Sequence, residues 1–169
     1  PKAVTRLLFF CTKTDRDVSF RIEDVKAAGR EGEPVGTNPD EARIKPQGGM
    51  IMSAGKLAKD AVLLLSNGGA KAAFSSSGAS VLVDFADGGQ KTSAQIKPKV
   101  GGFWDLGDHM RMVVRLRNTG KKPCSPGLFL GSIDGPTKTC TPAAPIAPGQ
   151  DASVIIPFAP DLPWTAPTD

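Results

Sequence analysis

Basic side chains spaced along one segment are the first feature of this sequence that could bind a ligand. The row consists of Arg111, Arg115 and Arg117, with His109 in the same register. Side chains on a β-strand point alternately to opposite faces, so this spacing predicts one basic, exposed face. The intervening residues, predicted to be buried, are Met110, Met112, Val114 and Leu116. Guanidinium groups present paired donors that suit sulfate or carboxylate groups of an anionic glycan. The alternative is a solvated face, or arginines paired with carboxylates of a neighbouring strand.

The residues just before this row carry an aromatic ring and two carboxylates. Trp104 is a candidate for stacking on a sugar ring, because the apolar face of a pyranose packs well on indole. Asp105 or Asp108 would then accept hydrogen bonds from sugar hydroxyls. The alternative is that the aspartate forms a turn at the start of the strand. Together with the basic row, Trp104 and Asp105 complete the predicted ligand site.

Catalytic signatures are missing from the sequence. The carboxylates between positions 23 and 41 follow one polar stretch, whereas glycoside hydrolysis needs an opposed pair across a cleft. A polysaccharide lyase normally uses tyrosine and histidine, and this chain has no tyrosine and one histidine. The zinc patterns HExxH and CxxC do not occur. The sequence therefore assigns no catalytic residue and no metal ligand, and leaves open whether the chain is part of an enzyme.

The elements that must position these residues are predicted to be short strands. The 169 residues include 19 glycines and 15 prolines, a share that accompanies many strands joined by turns. The predicted strands are a central buried one at 4–11, then 18–25, an antiparallel pair at 79–85 and 91–97 around Asp87-Gly88, the basic strand, 128–130 and 152–158. Residues 29–49 are predicted to form a long exposed loop, and 61–66 either a strand or the end of a helix. This pattern predicts an all-β fold, a two-sheet β-sandwich or jelly roll with at most short helices.

The domain organisation follows from the same pattern. Residues 1–158 are predicted to form a single β-sandwich domain, and 159–169 a proline-rich extended tail or interdomain linker. No apolar run reaches about 18 residues, which argues against a membrane-spanning helix. The net charge of +4 is small and aromatics are not interleaved with basic residues, which argues against nucleic-acid binding.

Three cysteines bear on the redox compartment. Cys124 and Cys140 flank one hairpin-like segment and could pair in an oxidising compartment; two reduced thiols are the alternative. Cys11 is predicted to be a buried thiol on the first strand.

Several motifs in the second half of the chain carry a family resemblance. They are Val81-Leu82-Val83-Asp84-Phe85, Phe103-Trp104-Asp105-Leu106-Gly107-Asp108 leading to the strand that ends at Asn118-Thr119-Gly120, and Ile146-Ala147-Pro148-Gly149-Gln150 leading to Val154-Ile155-Ile156-Pro157-Phe158. From 79 to 164 the chain resembles the ancillary β-sandwich domains of agarase-type polysaccharide hydrolases, and more broadly carbohydrate-binding modules of galactose-binding-like topology.

The resemblance implies a noncatalytic carbohydrate-binding or domain-supporting module of a secreted polysaccharide-active protein. Its expected partners are an anionic or galactose-based polysaccharide and a catalytic domain in the same protein, with no nucleic acid and no membrane. The expected location is extracellular or periplasmic. No cofactor is implied beyond the structural calcium ion that many such sandwiches hold. Two alternatives stay open: a structural or assembly jelly-roll subunit, and a fragment of a glycoside hydrolase whose catalytic residues lie outside this chain.

Overall fold

Two β-sheets packed face to face make up the computed structural model, which describes residues 3–10, 18–28, 43–52, 62–78, 80–86, 92–99, 102–132 and 135–158. The strands in chain order are β1 Ala3–Phe10, β2 Val18–Ala28, β3 Arg43–Ile44, β4 Met50–Met52, β5 Val62–Asn67, β6 Ala70–Phe74, β7 Val81–Phe85, β8 Ser93–Pro98, β9 Phe103–Asp105, β10 Arg111–Asn118, β11 Gly127–Ser132, β12 Gly135–Pro136 and β13 Asp151–Pro157, with a 3-10 turn at Gln47–Gly49. The predicted two-sheet β-sandwich is confirmed.

The two sheets interleave distant parts of the chain. The first sheet has the strand order β12-β11-β1-β8-β5, and β9 pairs with both β1 and β3 at its margin. The second sheet has the order β13-β10-β2-β7-β6, with β4 paired to β2. All pairs are antiparallel except β3 with β9. The predicted central position of β1 is confirmed, because β1 lies between β11 and β8.

The core fills the space between the two sheets. It is made of the apolar side chains that point inward from every second position of the strands. Phe20 of β2 contacts rings from both sheets, with centroids 6.0 Å from Phe9 of β1 and 5.4 Å from Phe85 of β7. All three side chains are at most 1% exposed. Burying such large apolar side chains is the main favourable contribution to the stability of the sandwich.

The prediction that β1 is buried on both faces is wrong for half of its side chains. Leu7 and Phe9 point into the core and are fully buried, whereas Leu8 and Phe10 lie on the outer face and are partly exposed. No layer of described residues covers that face, so the apolar run Leu7-Leu8-Phe9-Phe10 serves two different surfaces.

The predicted antiparallel pair at 79–85 and 91–97 is also wrong. Both strands exist, but β7 pairs with β2 and β6 in the second sheet, whereas β8 pairs with β1 and β5 in the first. The two strands therefore belong to different sheets, and Asp87-Gly88 lies outside the described residues. A local hairpin instead joins β6 to β7, closed by hydrogen bonds from Gly78 N to Ser75 O at 2.8 Å and from Ser75 N to Ser80 O at 2.8 Å.

The structure assigns secondary structure to two other segments. The segment at 61–66, for which strand and helix were both open, is the edge strand β5. The segment predicted as a long loop at 29–49 contains the short strand β3 and the 3-10 turn at its end, while 29–42 lies outside the described residues.

The predicted disulfide between Cys124 and Cys140 is not formed, and both thiols are free. Each cysteine makes an isolated bridge to a different backbone partner: Cys124 to Ile146 and Cys140 to Leu128. The two cysteines therefore lie in different backbone bridges. Burial raises the pKa of both thiols. Cys11 lies outside the described residues.

Alkylation of the unreduced protein tests this arrangement. Under denaturing conditions without reductant, iodoacetamide should modify both Cys124 and Cys140, as read by peptide mass spectrometry. In the folded protein Cys140 should react first, because Cys124 is only 6% exposed. Since the thiolate is the nucleophile and both pKa values are raised, both rates should increase as the pH rises above 8. A Cys124–Cys140 cross-linked peptide would contradict the structure.

Candidate functional site

The basic row lies on β10 with the predicted register from Arg111 onward. Met112, Val114 and Leu116 are fully buried, whereas Arg111 and Arg115 are exposed and Arg117 is partly exposed. The prediction for Met110 is wrong, since its side chain is 55% exposed. The strand begins at Arg111, so Met110 lies in the preceding turn, where the alternation of a strand does not apply.

Acidic side chains of neighbouring strands pair with two of the three arginines. A bulge in β2 places both Asp24 and Glu23 opposite Arg115, because the register shifts between Arg115 and Leu116. The guanidinium lies 3.0 Å from Asp24 Oδ2 and 3.8 Å from Glu23 Oε2. Arg117 lies 3.4 Å from Asp151 Oδ1 on β13. The structure thus brings the predicted cations together on one face, and it favours the alternative in which cross-strand carboxylates balance them.

Trp104 is placed in the core and away from any ligand surface. It lies on β9, paired with Val4 of β1 on one side and Ile44 of β3 on the other, and is 3% exposed. A sugar ring needs an open indole face to stack on, and this ring has none. The predicted stacking role of Trp104 is therefore not supported by its position.

The two aspartates beside it have local partners. Asp105 Oδ1 accepts a hydrogen bond from the backbone N–H of Gly107 at 3.1 Å, which forms a turn. Asp108 Oδ2 lies 2.6 Å from Lys45 Nζ. This hydrogen bond and the negative charge of Asp108 raise the pKa of Lys45.

His109 packs against the 3-10 turn. Its imidazole packs on Gly49 in the 3-10 turn, and a Cβ added at Gly49 would overlap His109 Nε2. His109 Nδ1 is buried and has no hydrogen-bond partner among the described residues. His109 therefore connects the 3-10 turn to the start of β10, and this packing leaves Nδ1 buried.

A cleft of about 690 Å³ lies on the outer face of the second sheet, where β10 ends. We call it the lysine cleft. Its floor is a row formed by Lys71, Asp84 and Ser19 on three strands and by Thr119 directly after β10. Lys121 and Lys122 follow in the same turn. Register explains the row, because Lys71 pairs with Asp84 and Asp84 pairs with Ser19.

The floor of the lysine cleft is a directed hydrogen-bond chain. Ser19 Oγ donates to the carboxylate of Asp84 at 2.5 Å. Because this uses the one hydroxyl proton of Ser19, Thr119 Oγ1, 3.0 Å away, donates to Ser19. The second carboxylate oxygen of Asp84 and the lone pairs of Thr119 can still accept hydrogen bonds from a polyhydroxylated ligand.

Asn118, at the end of β10, fixes the wall of the lysine cleft. Its side chain is fully buried, and Nδ2 donates to the carbonyl oxygens of Lys122 and Ile146 at 2.7 Å each. Its Oδ1 accepts from Gly120 N at 2.8 Å, and Gly120 N also lies 3.1 Å from Ser19 O. The turn carrying Thr119 to Lys122 is therefore tied to both β2 and the segment before β13.

The charge of the lysine cleft is positive. Three lysines line it against the single carboxylate of Asp84. None of these lysines forms an ion pair within the part of the chain that the structure describes. Sequence reasoning did not single out Lys121 and Lys122, because the row depends on pairing between strands far apart in the chain. The available signal was the run Thr119-Gly120-Lys121-Lys122 directly after the clearest strand.

Two features are absent among the described residues: a group of metal-ligating side chains and a membrane-spanning helix. No three histidine, cysteine, aspartate or glutamate side chains there are grouped to hold a metal ion. In the same ranges no helix has the length and apolar character needed to cross a bilayer.

Comparison with known proteins adds no relative. Protein-family models, curated proteins and solved structures gave no match to this chain.

Proposed function

We propose that this chain is a noncatalytic carbohydrate-binding module of a secreted polysaccharide-active protein, and that it binds an anionic glycan in the lysine cleft. The observation that carries the proposal is the joining of Ser19, Asp84 and Thr119 into one row beside Lys71, Lys121 and Lys122. The proposal includes an extracellular or periplasmic location and a catalytic domain elsewhere in the same protein.

The chemistry of the lysine cleft suits such a ligand. Sugar hydroxyls would donate to Asp84 and exchange hydrogen bonds with Thr119, and the lysines would hold sulfate or carboxylate groups. Glycoside hydrolysis needs two carboxyl groups across the scissile bond. Asp84 is the only carboxylate among the described residues that line the cleft, so its arrangement supports binding and not cleavage.

Affinity electrophoresis tests the proposal. The protein should be retarded in gels containing carrageenan or alginate, less in agar, and not in a neutral glucan. Lys121→Ala combined with Lys122→Ala should weaken retardation in carrageenan about fivefold, because each exposed charge contact contributes on the order of 0.5 kcal/mol. Retardation should also fall with added salt.

The matched control is Lys26→Ala combined with Lys138→Ala. It removes the same two charges from exposed positions outside the lysine cleft. If the two double variants lose retardation equally, net charge explains binding and the cleft does not. Unchanged migration in all four gels would reject glycan binding altogether.

A structural assembly subunit is a second candidate, favoured by exposed leucines on an edge strand. Leu63 is 42% and Leu65 39% exposed on β5, at the end of the first sheet. Sedimentation velocity separates the two candidates, because an assembly subunit must self-associate at micromolar concentration and a binding module need not.

A further inference from the structure

The outer face of the first sheet carries a second set of side chains suited to a ligand. Its apolar part consists of Leu8 and Phe10 on β1 and Phe129 on β11, all partly exposed. Leu8 pairs directly with Phe129 in the strand register, and the rings of Phe10 and Phe129 lie 6.0 Å apart. We call this surface the β1–β11 platform.

Two glycines of β11 leave room for side chains of β1 to approach the sheet backbone. A Cβ added at Gly127 would lie 2.7 to 3.1 Å from three atoms of the Phe10 ring, so the ring covers the Gly127 backbone. Gly131 is covered in the same way by Arg6, whose Cγ and Nε lie 2.6 Å from a Cβ placed there. The far end of the ring makes this contact, and the partly exposed part of Phe10 can pack on the apolar face of a sugar.

Positive charge borders the β1–β11 platform. Leu7 pairs with Ile96, so the preceding Arg6 and the following Lys97 are next neighbours across β1 and β8, both on the outer face. Neither forms an ion pair within the described ranges. Strands β12, β11, β1, β8 and β5 contain no aspartate or glutamate. Gln95 adds an amide opposite Leu8.

We propose that the β1–β11 platform is a second binding surface for a sulfated or uronic-acid polysaccharide. Charge complementarity identifies the occupant: Arg6 and Lys97 hold the anionic group, Phe10 and Phe129 contact the sugar ring, and Gln95 bonds a hydroxyl. A second copy of this chain fits less well, because stacking two platforms would oppose these cations to the same cations. The lysine cleft lies on the other sheet, so the two surfaces face opposite directions and engage separate segments of polymer.

The test compares Arg6→Ala combined with Lys97→Ala against wild type in carrageenan gels and by NMR. The double variant should bind about fivefold more weakly, since two exposed charge contacts are lost. The Lys26→Ala, Lys138→Ala protein should bind as wild type does. On titration of wild type with sulfated galactan oligosaccharides, the amide resonances of Leu8, Phe10 and Phe129 should shift. Amide spectra of the free variants verify that each is folded.

The outcomes separate this proposal from the lysine cleft. Intact binding in the Arg6, Lys97 variant, or shifts confined to Ser19, Asp84 and Thr119, overturns the β1–β11 platform and leaves the cleft. Loss of binding only in the Arg6, Lys97 variant supports the platform and rejects the cleft. No binding in any gel overturns both. Tighter binding of an oligothymidylate than of the sulfated oligosaccharide would overturn the glycan assignment in favour of nucleic acid.

Discussion

Replacing Asn118 by alanine should lower the free energy of unfolding by about 3 kcal/mol, because three buried or half-buried hydrogen bonds disappear together. The amide of Asn118 donates to Lys122 O and Ile146 O and accepts from Gly120 N. In the variant the Ile146 carbonyl keeps its bond from Cys124 N and Gly120 N keeps its bond to Ser19 O, both at 3.1 Å, so the loss comes from the three bonds of the Asn118 side chain itself. Urea denaturation followed by circular dichroism measures the change. Glycan binding in the lysine cleft should weaken as well, because the turn at Thr119 to Lys122 loses its anchor.

Two further variants isolate the hydrogen bonds. Asn118→Asp keeps the shape of the side chain but replaces a donor by an acceptor, and should be destabilised at least as much as the alanine variant. Thr119→Ala removes a neighbouring hydrogen bond on the exposed surface and should cost less than about 1 kcal/mol. If Asn118→Ala stays within 1 kcal/mol of wild type, the buried amide does not anchor the turn.

Replacing Gly49 by alanine should lower the free energy of unfolding by about 3 kcal/mol, through backbone strain and overlap. Gly49 has φ of +70°, a region that side chains with a Cβ rarely adopt. The added Cβ would also lie 2.8 Å from the carbonyl oxygen of Ala27 and overlap the His109 ring. The backbone of β2 cannot move aside without disturbing its pairing with β10. Thermal and urea unfolding measure the loss.

Gly48 provides the matched control for this prediction. Its φ is +59°, but a Cβ there would meet no atom within 4 Å. Gly48→Ala should therefore cost only the conformational penalty, about 1 kcal/mol. Equal losses in the two variants would show that backbone conformation alone matters and that the contact with His109 and Ala27 does not. Adding His109→Ala to Gly49→Ala should recover only part of the loss, because the overlap with the Ala27 carbonyl remains.

Local pattern predicted the individual strands well where alternation was unbroken. The register of β10 from Arg111 to Asn118 follows from period-two alternation, which a half-buried strand imposes. The same rule extended one residue too far at Met110, where the chain is still in a turn. A different rule failed at β1, which was predicted to be buried on both faces because its apolar residues form an unbroken run. Such a run does not reveal which side chains meet the other sheet.

The pairing between strands could not be predicted from local sequence pattern. Asp87-Gly88 is a hairpin signal, yet β7 and β8 belong to different sheets, because a turn motif fixes a change of direction and not the sheet that follows. The partners of Arg115 and the row of the lysine cleft depend on the bulge in β2 and on registers across four strands. Nothing in the sequence around Trp104 indicates that its strand lies between β1 and β3.

The central place of β1 has a consequence for how the chain acquires its structure. β1 is made well before its neighbour β11, and Thr5 Oγ1 donates to Gly131 O across 126 positions of sequence. Until β11 is available, the apolar residues of β1 have an open edge, which favours association with other chains. Closing so long a loop before its contacts form places folding in the millisecond-to-second range of all-β domains. A chain truncated before Gly127 would therefore keep this edge open and aggregate.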